Sequence, residues 1–419
     1  MRIKNIHIKN FRCYEIAKLD LHPHINIVVG VNGTGKTSVL EAIRILLGGI
    51  YCEIDKVENK ILMPAITEDD VRLHNLESQF DTKIDGTMDL DAHLAQSQTA
   101  TWDRWLEKKG GKTKFSKPKE VKALSSRIQE IIRNGENKAI PLIAYYSTDR
   151  YKKEKKNTGL EADGSRLRGY YNALDAMSNS WFFLNIIRTE TYAEIQEGKP
   201  SPILKLVYDV IRQCVPNCKE LQHNIKQDRL IIKLDNGEQI PYNALSDGVR
   251  SVLSLAMELA LRCYLLNPYL GENAAELTPG VVLIDEIDLH LHPEWQLHIV
   301  NDLAKVFKQI QFVMSTHAPL VISSIKEGKI FSIADQQVYD FPNQYGQKTD
   351  QILKTMGSPL GSQDIDNVLA EYRLLIERGE GETPQAIQMR QDLENLLGKD
   401  HDELRRTDIM LRLFKAAHS

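Results

Sequence analysis

Several short stretches of the chain are apolar without alternation, and each runs into polar chemistry. Ile25-Asn26-Ile27-Val28-Val29, Val281-Val282-Leu283-Ile284 and Gln311-Phe312-Val313-Met314 have the composition of strands buried on both faces of a parallel sheet. Pro141 to Tyr146 reads as a further core strand. Ile3 to Leu21 instead alternates, which predicts two half-buried strands, Ile6 to Phe11 and Ile16 to Leu21. Helical spacing marks Ser38 to Leu47, Lys119 to Arg133, Arg166 to Tyr192, Leu204 to Val215 and Leu253 to Leu265. The aromatic positions of the third segment, from Tyr170 to Phe183, read as core. Leu221 to Leu234 predicts an antiparallel pair with a turn at Asn236-Gly237. Beyond Phe331 short strands give way to helices at 364–379, 383–397 and 403–417. Helices interleaved with continuously apolar strands predict an α/β fold around a parallel sheet.

Composition narrows the class. With 419 residues the chain has material for two or three domains, or for one large domain with an inserted lobe. A hydrophobic share of 42%, 26% charged residues and a net charge of −4 describe an ordinary globular protein, so any basic surface is local. The five cysteines are odd in number and mostly lie among apolar residues, which predicts reduced thiols. No apolar run reaches membrane-spanning length and the first residues lack a signal-peptide core, so a cytoplasmic protein without a membrane partner is expected.

The polar ends of the apolar strands carry the chemistry. Gly30-Val31-Asn32-Gly33-Thr34-Gly35-Lys36-Thr37-Ser38 follows the first and opens a helix, which is the context a phosphate loop requires. Its glycines let the backbone N–H groups of Asn32, Gly33, Gly35 and Ser38 converge on an anion at a helix N-terminus. Lys36 then neutralises β/γ-phosphate charge, and the Thr37 hydroxyl is a ligand for Mg²⁺. Leu245-Ser246-Asp247-Gly248 sits at the start of the helix through Leu253, where Ser246 and Gly248 can present a hydroxyl and N–H groups to a second anion. Val281 to Ile284 ends in Asp285-Glu286, placing one carboxylate to hold Mg²⁺ and the other to polarise the attacking water. The strand through Met314 ends at His317, a candidate γ-phosphate sensor. Asn10-Phe11-Arg12 lies one hairpin before the phosphate loop, which puts Arg12 within reach of a nucleotide. His290 and His292 form only a weak zinc pair, since no third ligand is evident. Two basic runs, Lys108 to Lys119 and Lys152 to Lys156, are candidate contacts for a DNA backbone.

Phosphate loop, Ser-Asp-Gly signature, two-carboxylate strand, histidine-bearing turn and strand-end histidine stand here in one order. That set resembles the ATP-binding-cassette (ABC) ATPases, in the branch that holds RecF, the SMC proteins and the OLD-like ATPases. The resemblance covers residues 1–50 and 240–325. It implies an ABC-ATPase head with an N-terminal antiparallel β element, an inserted mostly helical lobe and a C-terminal helical appendage. The corresponding divisions are 1–50 and 241–343 for the ATPase core, 51–240 for the insert and 344–419 for the tail. It also implies ATP and Mg²⁺ as ligands, Lys36, Glu286 and His317 as catalytic residues, and Thr37 and Asp285 at the metal. Arg12 would approach the nucleotide, and Asp288 falls in the D-loop region. Ser246 and Gly248 would act across a homodimer that sandwiches two ATP molecules. Asp247 departs from the transporter signature, which usually has glycine there. The glutamine of the Q-loop has no evident counterpart, with the segments near Asp70 and Ser147 as candidates.

About two hundred residues separate Thr37 from Leu245, too few for the long coiled coils of SMC proteins, and no acidic nuclease domain follows the ATPase. Ala144-Tyr145-Tyr146-Ser147-Thr148-Asp149-Arg150 and Asp285-Glu286-Ile287-Asp288-Leu289-His290-Leu291-His292-Pro293 resemble the stand-alone ATPases of anti-phage operons, nearest the ATPase subunits of Septu systems. That likeness implies a partner nuclease of HNH type encoded nearby. A RecF-like DNA-repair ATPase is the alternative, and a transporter subunit fits poorly because the signature lies so far from the phosphate loop.

Overall fold

The computed structural model describes the chain except for residues 55–60, 96, 117, 149–164, 176–179, 357–362, 399–400 and 419. The basic run Lys152 to Lys156 and the pair Asp149-Arg150 lie outside the described residues. Contacts divide the chain into two units, Met1–Gln347 and Lys348–Ser419.

In the first unit, alternation at the N-terminus produces β1 (Arg2–Phe11) and β2 (Tyr14–Asp20), followed by the fully buried β3 (Ile25–Val29) and α1 (Lys36–Gly48). Next come the two-residue strands β4 (Leu73–His74) and β5 (Glu77–Ser78), then β6 (Thr82–Asp89) and β7 (Thr99–Leu106). An amphipathic α2 (Lys119–Arg133) buries Val121, Leu124, Ile128 and Ile131 on one stripe and leads to β8 (Leu142–Tyr146). The aromatic segment begins as a 3₁₀ turn, Arg166–Tyr170, and its later part belongs to α3 (Ser180–Glu197). After α4 (Pro202–Cys214) come β9 (Cys218–Asn224), β10 (Arg229–Leu234) and β11 (Gln239–Pro241). Where a two-stranded pair was expected, the chain makes three strands. The β9–β10 turn falls at 225–228, and Asn236-Gly237 turns β10 into β11.

The second half of the unit runs α5 (Asp247–Leu266), α6 (Ala274–Leu277), β12 (Gly280–Ile284), α7 (Pro293–Gln296) and α8 (Ile299–Val306). It closes with β13 (Ile310–Thr316), α9 (Pro319–Ser324), β14 (Lys329–Ala334) and β15 (Gln337–Phe341). The main sheet has the order β15-β14-β3-β13-β12-β8, with only β15 antiparallel to its neighbour. Every residue of β3, β8, β12 and β13 is buried, which explains their unbroken apolar pattern. A second sheet, β2-β1-β6-β7, carries α1 against β6 and β7, and Trp102 Nε1 donates to the Leu46 carbonyl across that contact (2.9 Å). Residues 51–240 thus supply β6 and β7 to the N-terminal sheet and β8 to the main one.

The second unit consists of α10 (Thr349–Thr355), α11 (Gln363–Glu377), α12 (Pro384–Leu397) and α13 (Asp402–His418). Leu369, Tyr372, Ile376, Ala386, Leu393 and Leu404 form its own core. Arg390 ties α12 to α13 through two bonds to Asp408, at 3.0 and 3.1 Å.

Candidate active site

Parallel register brings the polar strand ends to one edge. Val29 pairs with Thr316, Met314 with Ile284, and Ile284 with Tyr146. The residues that follow, Gly30, His317, Asp285 and Ser147, therefore emerge side by side at the carboxyl edge of the sheet, where α/β proteins bind ligands.

The phosphate loop links β3 to α1. Gly33 and Gly35 have φ of 84° and 112°, a region that disfavours other residues. At Gly35 space demands glycine as well, because a Cβ would lie 2.5 Å from Cys13 Sγ and 2.8 Å from the Tyr14 hydroxyl. Tyr14 also donates to the Gly35 carbonyl at 3.1 Å, so the N-terminal hairpin braces the loop. Asn32 is at the exposed tip and Ser38 is buried in the first turn of α1. That helix has no side-chain cap and no acidic residue in its first turn. The buried Lys36 donates to the carbonyls of Gly30 (2.9 Å) and Val31 (3.1 Å). Burial pushes its ammonium below the usual lysine range, while Glu286, Asp285 and Asp288 pull in the opposite direction.

Asp285 is 1% exposed and sits opposite the loop. Its Oδ2 accepts from Thr37 Oγ1 at 2.8 Å, its Oδ1 accepts from Ser315 Oγ, and its N–H continues the ladder to the Tyr146 carbonyl (2.8 Å). The next residue, Glu286, has φ of 47° and is held there by its N–H on Ser315 Oγ at 2.8 Å. A non-glycine residue in that region persists only where its surroundings over-determine it. Asp288 accepts from Thr316 Oγ1 at 2.5 Å and pairs with His317 Nδ1 at 3.3 Å. The His317 imidazole remains half exposed.

Ser315 is a site residue that the motif reading passed over, and Asp288, expected only in the D-loop region, is also the acid on His317. The signal was present as Ser315-Thr316-His317, two hydroxyls and an imidazole ending a fully buried strand.

Three predicted site residues, Arg12, Ser246 and Gly248, have surroundings of their own. Arg12 stands next to Cys13 and Tyr14, but its guanidinium bonds Asp70 Oδ1 at 2.8 Å and stacks on Phe11. Ser246 stands at the N-cap position of α5 without a side-chain capping bond, and Gly248 packs so tightly on the segment after Glu286 that a Cβ would approach the His290 carbonyl to 2.4 Å. Lys114, in the first basic run, pairs with Glu107 and lies over Trp105.

These residues fit a nucleoside triphosphate with Mg²⁺. The uncapped helix start leaves N–H groups for phosphate, and Thr37 and Asp285 already face each other as oxygen donors. Among the described residues no three His, Cys, Asp or Glu side chains gather as a closed metal cage. An ion held by one carboxylate, one hydroxyl and substrate phosphates is the usual Mg²⁺ arrangement.

Comparison with known proteins gives the same picture. The AAA domain model matches residues 5–233, more than half of the chain, and the AAA ATPase domain model matches residues 183–322. The Retron Vc95 probable ATPase of Vibrio cholerae is 26% identical over 91% of this chain and 84% of its own length. The Septu protein PtuA of Bacillus mycoides is 24% identical over 89% of this chain, which spans 47% of that protein. The Smc head domain derived from Pyrococcus furiosus, with an extended coiled coil and bound to the C-terminal domain of ScpA, superposes with a TM-score of 0.51 at 15% identity. That superposition covers 85% of this chain and all of the head domain, which establishes the ABC-type head fold expected from the motif order. Strand-edge geometry, family model and ATPase relatives agree, and the chain belongs to the AAA-domain family of ATPases.

Proposed function

We propose that this ATPase closes as a homodimer around two ATP molecules and, through that closure, controls a partner nuclease in anti-phage defence. The observation that carries the catalytic part is the convergence of Lys36, Thr37 and Asp285 at the edge where Glu286 and His317 also emerge. In this reading the N–H groups of the loop and the Lys36 ammonium bind the triphosphate, and Lys36 leaves its two carbonyl partners to do so. Thr37 and Asp285 hold Mg²⁺, which supplies charge neutralisation between the β- and γ-phosphates. Glu286, fixed by Ser315, accepts the proton of the attacking water. Asp288 holds His317 by Nδ1, which leaves Nε2 to donate to the γ-phosphate. Ser246 and Gly248 contact the nucleotide of the other subunit, so ATP favours closure because only the closed state gains those contacts.

The defence assignment is supported by the retron and Septu relatives, which match over about nine tenths of the chain. An HNH-type nuclease encoded nearby is the partner we infer, as the resemblance to the ATPase subunits of Septu systems implies. The test is the mass in solution of Glu286→Gln, with and without ATP, alone and with the neighbouring nuclease. An ATP-dependent complex with the nuclease supports the reading. A dimer that ignores the nuclease but holds DNA overturns it in favour of a RecF-like repair ATPase.

A further inference from the structure

Away from the strand ends, α3 and the β9-β10-β11 meander line a half-open cavity of about 350 Å³. That volume falls within the ~300–1,000 Å³ of small-molecule sites. Its polar lining comes from separate elements: Arg188 on α3, His223 on β9, Arg229 on β10 and Asn243 ahead of α5. Asp228 organises two of these groups on a single oxygen, with Arg188 Nε at 3.1 Å and His223 Nε2 at 3.2 Å from Oδ1. A carboxylate that anchors a guanidinium and an imidazole together limits their freedom and presents them in fixed orientation. His223 is no surface accident, because its side chain is 6% exposed and its ring packs against the edge of Tyr192. Two guanidinium groups and an imidazole thus line the pocket beside one carboxylate, a local excess of donors in a chain whose net charge is −4. The remaining lining is apolar, with Leu184, Leu230 and Pro241. An anionic head on a partly apolar body suits such a lining.

We propose that this cavity binds a small phosphate-bearing molecule of nucleotide size, held by Arg188 and Arg229, and that its occupancy is felt by the helix that begins at Asp247. The route is short. Pro241, Tyr242 and Asn243 line the cavity and stand three to five residues before Ser246. Ser254 Oγ donates to the Arg250 carbonyl at 2.7 Å, which leaves the Tyr242 hydroxyl to donate to Ser254 at 2.6 Å. A ligand seated on Tyr242 therefore presses on the first turns of α5. This coupling rests on reading Ser246 and Gly248 as the signature, whereas the binding itself does not.

The experiment compares full-length Lys36→Ala with Lys36→Ala/Arg188→Ala/Arg229→Ala by calorimetric titration with AMP, inorganic phosphate and a blunt DNA duplex. Both arginines are exposed, so the triple variant should melt at the same temperature as Lys36→Ala. AMP binding that survives Lys36→Ala and weakens at least tenfold without the arginines supports the site. Equal AMP affinity in the two proteins, or none in either, overturns it. Arginine-dependent binding of the duplex without binding of AMP also overturns it, in favour of a nucleic-acid surface. The coupling is read separately, as a severalfold change in ATP turnover by AMP that Arg188→Ala/Arg229→Ala abolishes. An unchanged rate while AMP binds overturns the coupling alone. Were Glu286→Gln to hydrolyse ATP normally, the catalytic assignment would fail and the AMP titration would still stand.

Discussion

Two side chains at the sheet edge do opposite things to free energy. Lys36 is buried at a cost, since desolvation lowers its pKa, and a triphosphate recovers that cost by supplying the missing negative charge. Lys36→Ala should consequently leave the nucleotide-free protein as stable as before or slightly more so. It should also remove the rise in melting temperature that ATP produces, which at a hundredfold excess over Kd corresponds to about 2.7 kcal/mol. Thermal melts with and without ATP check this. The same shift gives a sign with pH. The folded-state pKa is lowered, so the unfolded chain binds more protons in the alkaline window below 10.5, and stability from this residue rises as pH increases through it. Ser315 works by holding. It donates to Asp285 and accepts from the N–H of Glu286, so one hydroxyl orients the Asp285 carboxylate and the Glu286 backbone together. Ser315→Ala should lower kcat by about ten- to a hundredfold with little change in the affinity for ATP, the range expected when an outer-shell partner is lost. Steady-state kinetics across a Mg²⁺ series would expose a metal defect, and a wild-type kcat would show that Ser315 has no positioning role.

At the scale of elements, α5 is fastened to its surroundings by a buried ion pair. Arg262 is 1% exposed, takes Glu258 Oε1 through Nε (3.0 Å) and Nη2 (2.7 Å), and uses Nη1 for the carbonyls of Gly169 (2.7 Å) and Tyr171 (3.1 Å). Its guanidinium also lies over the Phe183 ring. Arg262→Met removes one partner and strands Glu258, so it should destabilise the first unit by about 3–5 kcal/mol. The double change Glu258→Met/Arg262→Met should recover much of that loss, because an apolar pair of similar volume leaves no buried charge. Chemical denaturation of the two variants and the parent protein tests the order. The aromatic segment that Arg262 clamps, 169–171, is also where periodicity misled. Helical spacing predicted one helix from Arg166 to Tyr192, yet the first part is a 3₁₀ turn whose carbonyls serve Arg262. A tertiary partner for backbone carbonyls is invisible to spacing along the chain.

For the molecule as a whole, each of the two units has its own core. A chain ending at Gln347 should keep a cooperative melt and the ATP-induced stabilisation, measured against the full chain. Loss of both would mean that residues 348–419 are needed to complete the first unit. The expected insert at 51–240 shows why domain limits are hard to read from order along the chain. Its strands β6, β7 and β8 hydrogen-bond into sheets that the flanking segments begin, so composition gives no boundary.

By itself the sequence determined the parallel core and the polar residues at its strand ends. Strands buried on both faces must be apolar throughout, and a phosphate loop needs its glycines and its lysine at fixed spacing. Tertiary structure alone decided what those residues touch. It set Ser315 between Asp285 and Glu286, Asp288 on His317, Asp70 on Arg12 and Tyr14 under the phosphate loop. Such contacts join positions 21 to 58 residues apart, and they depend on strand order and register, which local pattern does not encode.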